Sequence, residues 1–151
     1  MTKIWGPHIW NFIHCFCEKI SNNFFIKNRN SIFVFLESIV FNLPCPICSV
    51  DSRRMFKKIN YNNIKKKKDL KELYFYYHNY VNKKLKKKRV DISILNIYIK
   101  YNLNKCFVNF YKVFLQTYKK RLNIYSYTLS LERNIAKKNV IKWWNKNKNK
   151  I

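Results

Sequence analysis

The sequence predicts an all-α fold: a four-helix bundle plus a short fifth helix, with an additional helical or partly disordered C-terminal extension. Three observations lead there. The chain has one glycine and three prolines, and none of the four lies beyond Pro46. That scarcity favours long helices over a many-turned β fold. Apolar residues recur at i, i+3, i+4 and i+7 in segment after segment. Polar joints carrying capping residues separate those segments, and 151 residues suit one domain.

The elements follow in order. Residues 7–20 read as a helix, with Pro7 at a first helical position and Ile9, Phe12, Ile13 and Phe16 on its apolar face. Ser21-Asn22-Asn23 ends it. Asn30 or Ser31 can cap a second helix running to about Asn42, with Ile32, Phe35, Leu36, Ile39 and Val40 as its buried stripe. Leu43-Pro44 breaks it, because a residue before proline avoids the α region. A third helix starts at Cys45-Pro46-Ile47-Cys48 and reaches about Lys58. Asp69 can cap a fourth, roughly 70–88, whose Leu70, Leu73, Tyr77, Val81 and Leu85 form one face. Asp91 can cap a short fifth, with Ile94, Ile97, Ile99 and Leu103 apolar. Residues 105–122 continue as helix, 123–132 alternate ambiguously, and the basic stretch 137–151 is expected to fray. The working division is 1–104 as the functional domain and 105–151 as a basic C-terminal extension with no assigned role.

The net charge is +25, which invites a nucleic-acid partner. The same excess of Lys, Asn and Ile, with a single alanine at Ala136, is also the footprint of an AT-rich genome. Both explanations stand on composition alone. His8, Asn11, His14, Glu18 and Lys19 interrupt the apolar stretches of the first 20 residues, so no secretory signal is expected. No run approaches the about 18 apolar residues of a membrane span. Five cysteines, an odd number, do not form a secreted disulfide scaffold; they read as one working pair plus three others.

That pair is Cys45-Pro46-Ile47-Cys48. Two cysteines in the first turn of a helix can close a small disulfide ring, and the positive end of the helix favours a thiolate. Such a pair suits exchange more than permanent structure. A zinc site would need four ligands, and Cys15, Cys17, His14 and His78 are not at finger spacing. A thioredoxin-like motif would follow a strand, whereas the preceding segment is helical in period.

Two clusters flank the pair. Upstream, Trp10 and His14 lie four apart on one helix face. Side by side they can stack on and hydrogen-bond to a planar heteroaromatic; alone, they read equally as core packing with a satisfied histidine. Downstream, His78, Val81, Asn82 and Leu85 share a face, with Asn79 at its edge. Buried amides and a histidine on an aromatic helix are costly unless satisfied, and amides can read the edge of an adenine or an isoalloxazine. The lysines from Lys83 to Lys88 can meet a diphosphate, or simply complement the helix C-terminus.

Taken together, Trp5-Gly6-Pro7-x-x-Trp10-x-x-x-His14, Cys45-x-x-Cys48 and His78-Asn79-x-Val81-Asn82-x-x-Leu85 resemble the FAD-linked sulfhydryl oxidases of the Erv/ALR type, over about residues 5–90. The opening Trp-Gly-Pro is similar to the short forms carried by large nucleocytoplasmic DNA viruses. The resemblance implies a helical bundle holding FAD at one end, usually as a homodimer. It implies oxidation of dithiols to disulfides in protein substrates or a relay redox protein, with electrons passing through FAD to oxygen to give hydrogen peroxide. It implies that Gly6, Trp10, His14, His78, Asn79, Val81, Asn82, Leu85 and Lys87 contact FAD. By the same resemblance Cys48 lies next to the flavin, and Cys45 exchanges with the incoming thiol. No metal is expected.

The chain also departs from the pattern. Pro7 stands where many members have Arg. The usual Lys-Pro-x-Phe-x-Cys continuation is missing, with Lys88, Val90 and Asp91 in its place, so Cys106 has no evident partner. Cys15 and Cys17, two apart on one helix, point in different directions and do not readily bond each other. A shuttle Cys-x-x-Cys is absent. The competing class is a basic helical nucleic-acid-binding protein with incidental cysteines. Trp143-Trp144 among lysines is either a docking element for a membrane or partner, or part of a disordered basic tail with one packed aromatic. Host cytoplasm or virion is the expected location by resemblance, with the mitochondrial intermembrane space or secretory pathway as the fallback.

Overall fold

The computed structural model describes residues 2–116 and 124–151. It is all-α, with no strand among the described residues. The elements are α1 Thr2–Lys19, α2 Asn22–Val40, α3 Pro46–Phe56, α4 Lys67–Lys84, α5 Leu103–Phe114 and α6 Ile124–Asn147. Short 3-10 segments stand at Tyr61–Asn63 and Ile92–Lys100.

Helix α1 begins at Thr2, earlier than Pro7, so the proline sits inside it. Its ring removes one backbone donor near the helix start, and Gly6 before it has no Cβ to strike the ring. The expected face is buried: Ile9, Phe12, Ile13 and Phe16 are at most 2% exposed. Helix α2 also starts early. Ser21 caps it by accepting from the Phe24 amide at 3.0 Å, and the helix bends at Asn28, where φ is −118° and ψ 16°. The expected start near Ser31 is therefore the second limb of a kinked helix, and the first limb buries Phe24 and Phe25. Ile32, Phe35, Leu36, Ile39 and Val40 are buried as their period requires.

Helix α4 runs Lys67–Lys84 and stops short of residue 88. Asp69 lies one turn inside it and reaches back to the amides of Lys65 and Lys66, at 2.8 and 2.9 Å, instead of capping from outside. The C-terminus closes with two backbone bonds, Lys87 N–H to the Asn82 carbonyl at 2.8 Å and Lys86 N–H to the Lys83 carbonyl at 3.1 Å. That closure puts Lys86 at φ 55°, a left-handed position usually given to glycine.

The expected fifth helix, capped by Asp91, is a 3-10 segment whose buried residues are Leu95 and Tyr98. Ile94, Ile97 and Ile99, the expected apolar stripe, are 40–58% exposed. Three-residue turns eclipse i and i+3, so the inward pair is Leu95 and Tyr98.

The stretch 137–151 does not fray at its start: α6 is helical to Asn147. Trp144 stacks on Phe107, with ring centroids 4.1 Å apart, and Trp143 stacks on Phe35 at 4.0 Å. Both indoles are engaged within the chain, which removes the docking reading for them. Arg133 and Lys137 on α6 donate to the last carbonyls of α5, including Gln116 O at 3.1 Å and Leu115 O at 3.0 Å. Arg133 also bonds Asn42 O beyond α2. Buried cations thus meet carbonyls that a helix end leaves without partners. The end of the helix expected over 105–122, and the start of the 123–132 alternation, lie outside the described residues.

Candidate functional site

A cavity of about 540 Å³ opens between α1, the start of α3 and the second half of α4. Helix α1 places Trp10 on its wall. Trp10 stacks on His78 of α4, with centroids 3.9 Å apart and planes 7° from parallel, and tilts against Tyr77 at 5.2 Å. Behind this wall His14 and His78 share a hydrogen bond, His14 Nε2 to His78 Nδ1 at 2.9 Å. One ring donates and the other accepts. Burial, then the neighbouring His78, lowers the His14 pKa to about 3. Burial, then Lys87, lowers that of His78 to about 4.

Cys45 and Cys48 are joined as a disulfide. Cys45 is the N-cap of α3, with Pro46 next, and its sulfur accepts the Cys48 amide at 3.3 Å. Cys48 lines the cavity; Cys45 does not. Cys48 thus belongs to the cavity wall, and Cys45 stands beside it at the start of α3.

Among the sequence-predicted residues, Gly6, Trp10, Cys48, His78, Val81, Asn82, Leu85 and Lys87 line this single cavity. His14 stands behind His78. Asn79 is spent elsewhere: its amide donates to Val90 O and accepts from Val90 N–H, both at 3.1 Å, pinning the segment after α4. Trp5, named in the upstream motif but given no role, also lines it; sequence reasoning assigned no site role to Leu43, Asp51, Ser52, Tyr80 and Tyr98, which line it too, and gave Tyr77 only a core position. Asp51 and Ser52 sit within two turns of Cys48, and the i+3 and i+4 offsets from the pair were the available signal. Asp51 holds Lys84 at 2.5 Å at the mouth, and Ser52 bonds the Tyr77 hydroxyl.

The walls suit a flat, largely apolar ring system with polar edges. Apart from its chain neighbours, a Cβ on Gly6 would meet nothing within 4 Å, so the glycine leaves open space at the cavity. Trp5 Nε1, on the cavity wall, has no hydrogen-bond partner, which leaves it for a ligand or water. Asp51 pairs with Lys84, so Lys87 is the rim cation left over for a ligand. The residues present thus fit a flavin dinucleotide: aromatic faces and the Trp5 indole nitrogen for the rings, Lys87 for the diphosphate, and a disulfide cysteine on the wall. Among the described residues no helix is long and apolar enough to cross a membrane.

The chain is similar in sequence to known proteins. The family model described as "Erv1 / Alr family" matches residues 7–102. The FAD-linked sulfhydryl oxidase of African swine fever virus (isolate Tick/Malawi/Lil 20-1/1983) is 29% identical over 101 residues, covering 66% of this chain and 84% of that protein. No solved structure gives a significant match.

Proposed function

The chain belongs to the Erv1/Alr family, and from that premise we propose how its residues perform the family's chemistry: it is a flavin-dependent thiol oxidase that makes disulfides. The observation that carries this is the Cys45–Cys48 bond at the edge of a cavity walled by Trp10, Tyr77 and His78. FAD, when bound, supplies the electron sink that returns the cysteine pair to its oxidised form, with oxygen as final acceptor and hydrogen peroxide as product.

The chain's own residues do the rest. A substrate thiolate attacks Cys45 Sγ, breaking the Cys45–Cys48 bond and releasing Cys48 as a thiolate at the cavity wall. Cys48 lies in the first turn of α3, where the helix N-terminus favours negative sulfur. A second substrate thiolate then attacks the mixed disulfide at the substrate's own sulfur. This forms the product disulfide and frees Cys45, whose charge the Cys48 amide meets. Trp10 and His78 give a stacking face for a ring of the cofactor, Gly6 the room, Asn82 an amide edge, and Lys87 a cation for the diphosphate. His14, through its bond to His78, fixes that ring's tautomer and orientation.

We further propose, from the family resemblance, a homodimer and a protein dithiol or relay redox protein as substrate, and, from the viral relative, host cytoplasm or virion as location. Residues 1–104 carry the chemistry, and 105–151 buttress it. The test is direct. Purified protein should be yellow with bound flavin and should consume oxygen when given a dithiol. Cys48→Ser should stay yellow and lose turnover. Colourless protein, or a Cys48→Ser variant with full turnover, would overturn the reading.

A further inference from the structure

Three cysteines take no part in that chemistry: Cys15, Cys17 and Cys106, all buried and free in this structure. Cys15 on α1 and Cys106 on α5 are neighbours. Both flank Tyr101: the Cys15 thiol lies 3.9 Å from the Tyr101 carbonyl, one residue before the α5 cap, and Cys106 lines a cavity together with Tyr101, so each thiol bears on the other's ionisation. Helices α1 and α5 pack along one another, so the pairing joins two rigid elements. Cys17 is buried as well, and its ionisation is influenced by Lys71 and Lys67 of α4.

The two thiols differ in access. Cys15 has no exposed surface, and burial, reinforced by Cys106, raises its pKa to about 12. Cys106 lines a second cavity of about 360 Å³, with Lys100, Lys105, His8 and Asn11 on its walls. Burial raises the Cys106 pKa, but the neighbouring Cys15 thiol and the nearby Lys105 and Lys19 act against it. A nucleophile with a cationic approach and a second thiol behind it is the arrangement of an attacking and a resolving cysteine.

We propose that Cys15 and Cys106 form a second, reversible disulfide that staples α5 to α1, made by exchange with a small anionic disulfide of the glutathione class entering the second cavity. Cys106 loses its proton to solvent and attacks one sulfur of that disulfide. The S–S bond breaks, a Cys106 mixed disulfide forms, and one small thiol leaves. Cys15 loses its proton and attacks Cys106 Sγ, expelling the second small thiol. Two protein thiols give up two electrons and two protons; the small disulfide takes them and becomes two thiols. The step uses neither Cys45–Cys48 nor the flavin, so it stands or falls apart from the oxidase activity.

The experiment uses the full chain, equilibrated with either oxidised glutathione or dithiothreitol, alkylated under denaturing conditions, digested and mapped by mass spectrometry. Cys15 and Cys17 fall between Lys3 and Lys19 on one tryptic peptide, so fragmentation assigns the bonded one. The expected result is a Cys15–Cys106 link in the oxidised sample, with Cys17 alkylated. The link closes a loop of about 90 residues, so oxidation should raise Tm by about 10 °C beyond the rise seen in Cys106→Ser, which keeps only the Cys45–Cys48 contribution. Full alkylation of Cys15 and Cys106 after oxidation, a Cys17–Cys106 link, or the same rise in Cys106→Ser would each overturn it. Should Cys106→Ser fail to fold, Cys106→Val serves for the melting comparison, and the wild-type map decides by itself.

Discussion

Trp10 lies flat on His78, with ring centroids 3.9 Å apart and planes 7° from parallel. The two residues come from different helices, and their stack forms the aromatic wall of the cavity that Cys48 completes. Trp10 is only half-buried, so its main contribution is to whatever it faces and not to the core. Trp10→Leu should therefore fold with near-normal stability but bind FAD about tenfold more weakly, the loss of one aromatic partner. Trp10→Phe should recover most of the affinity. Flavin absorbance per polypeptide and a titration of stripped protein with FAD check both; unchanged affinity in Trp10→Leu would move the ring elsewhere.

The buried His14–His78 pair makes stability depend on acidity. Both folded pKa values lie below the ordinary 6.5, at about 3 and about 4. Below pH 6.5 the unfolded chain binds protons that the folded chain refuses. Stability from this source is complete above pH 6.5 and is lost as pH falls toward 4. The slope is about 1.4 kcal/mol per pH unit for each histidine inside that window. Urea unfolding at pH 7.5, 6 and 5 measures it, and His14→Gln should roughly halve the slope. A profile equally steep in His14→Gln would assign the loss to other groups.

Much of this was legible in the sequence, and the limits have physical causes. The α2 stripe and the Leu70, Leu73 and Tyr77 face could be read because a buried helix face repeats every three to four residues. The same regularity placed Trp10 and His14, and His78 and Asn82, on shared faces. What was missed is nonlocal. Ile94, Ile97 and Ile99 are apolar enough for a core, but a 3-10 period turns Leu95 and Tyr98 inward instead. Asn79 looks like a ligand-reading amide until Val90 folds back onto it. Helix α6 mixes lysines and aromatics around its circumference, so only packing reveals that Trp144 is buried. Cys106 finds Cys15 across a long stretch of chain, which no local spacing records.

The C-terminal helix is part of the core. Trp144 is 4% exposed and meets Phe12 and Phe107. Trp144→Ala should cost about 3–5 kcal/mol, the usual range for emptying a large aromatic site. Trp143→Ala should cost less, because that indole is only partly buried. Denaturant midpoints measure the difference. A Trp144→Ala protein as stable as wild type would mean that α6 does not seal the bundle.

The close of α4 offers a stabilising change. Lys86 holds φ at 55°, where a side chain costs roughly 1 kcal/mol relative to glycine. Lys86 makes no side-chain contact with the cavity. Lys86→Gly should raise stability by about 0.5–1 kcal/mol while leaving the two closing backbone bonds in place. A lowered Tm would show that unfolded-state freedom outweighs relief of strain.

Phe12 through Cys17 are buried without exception, so the middle of α1 has no solvent face. His78, Phe35, Phe110 and Trp144 enclose it from α4, α2, α5 and α6. An amide in such a segment cannot reach deuterium by fraying or by the opening of one neighbour; it must wait for the whole molecule to come apart. The slowest-exchanging protons of the chain should therefore sit in the helix that carries Trp10 and His14. The wall of the redox site would then be the last part of the protein to loosen, even while the cysteine pair at its edge changes partners.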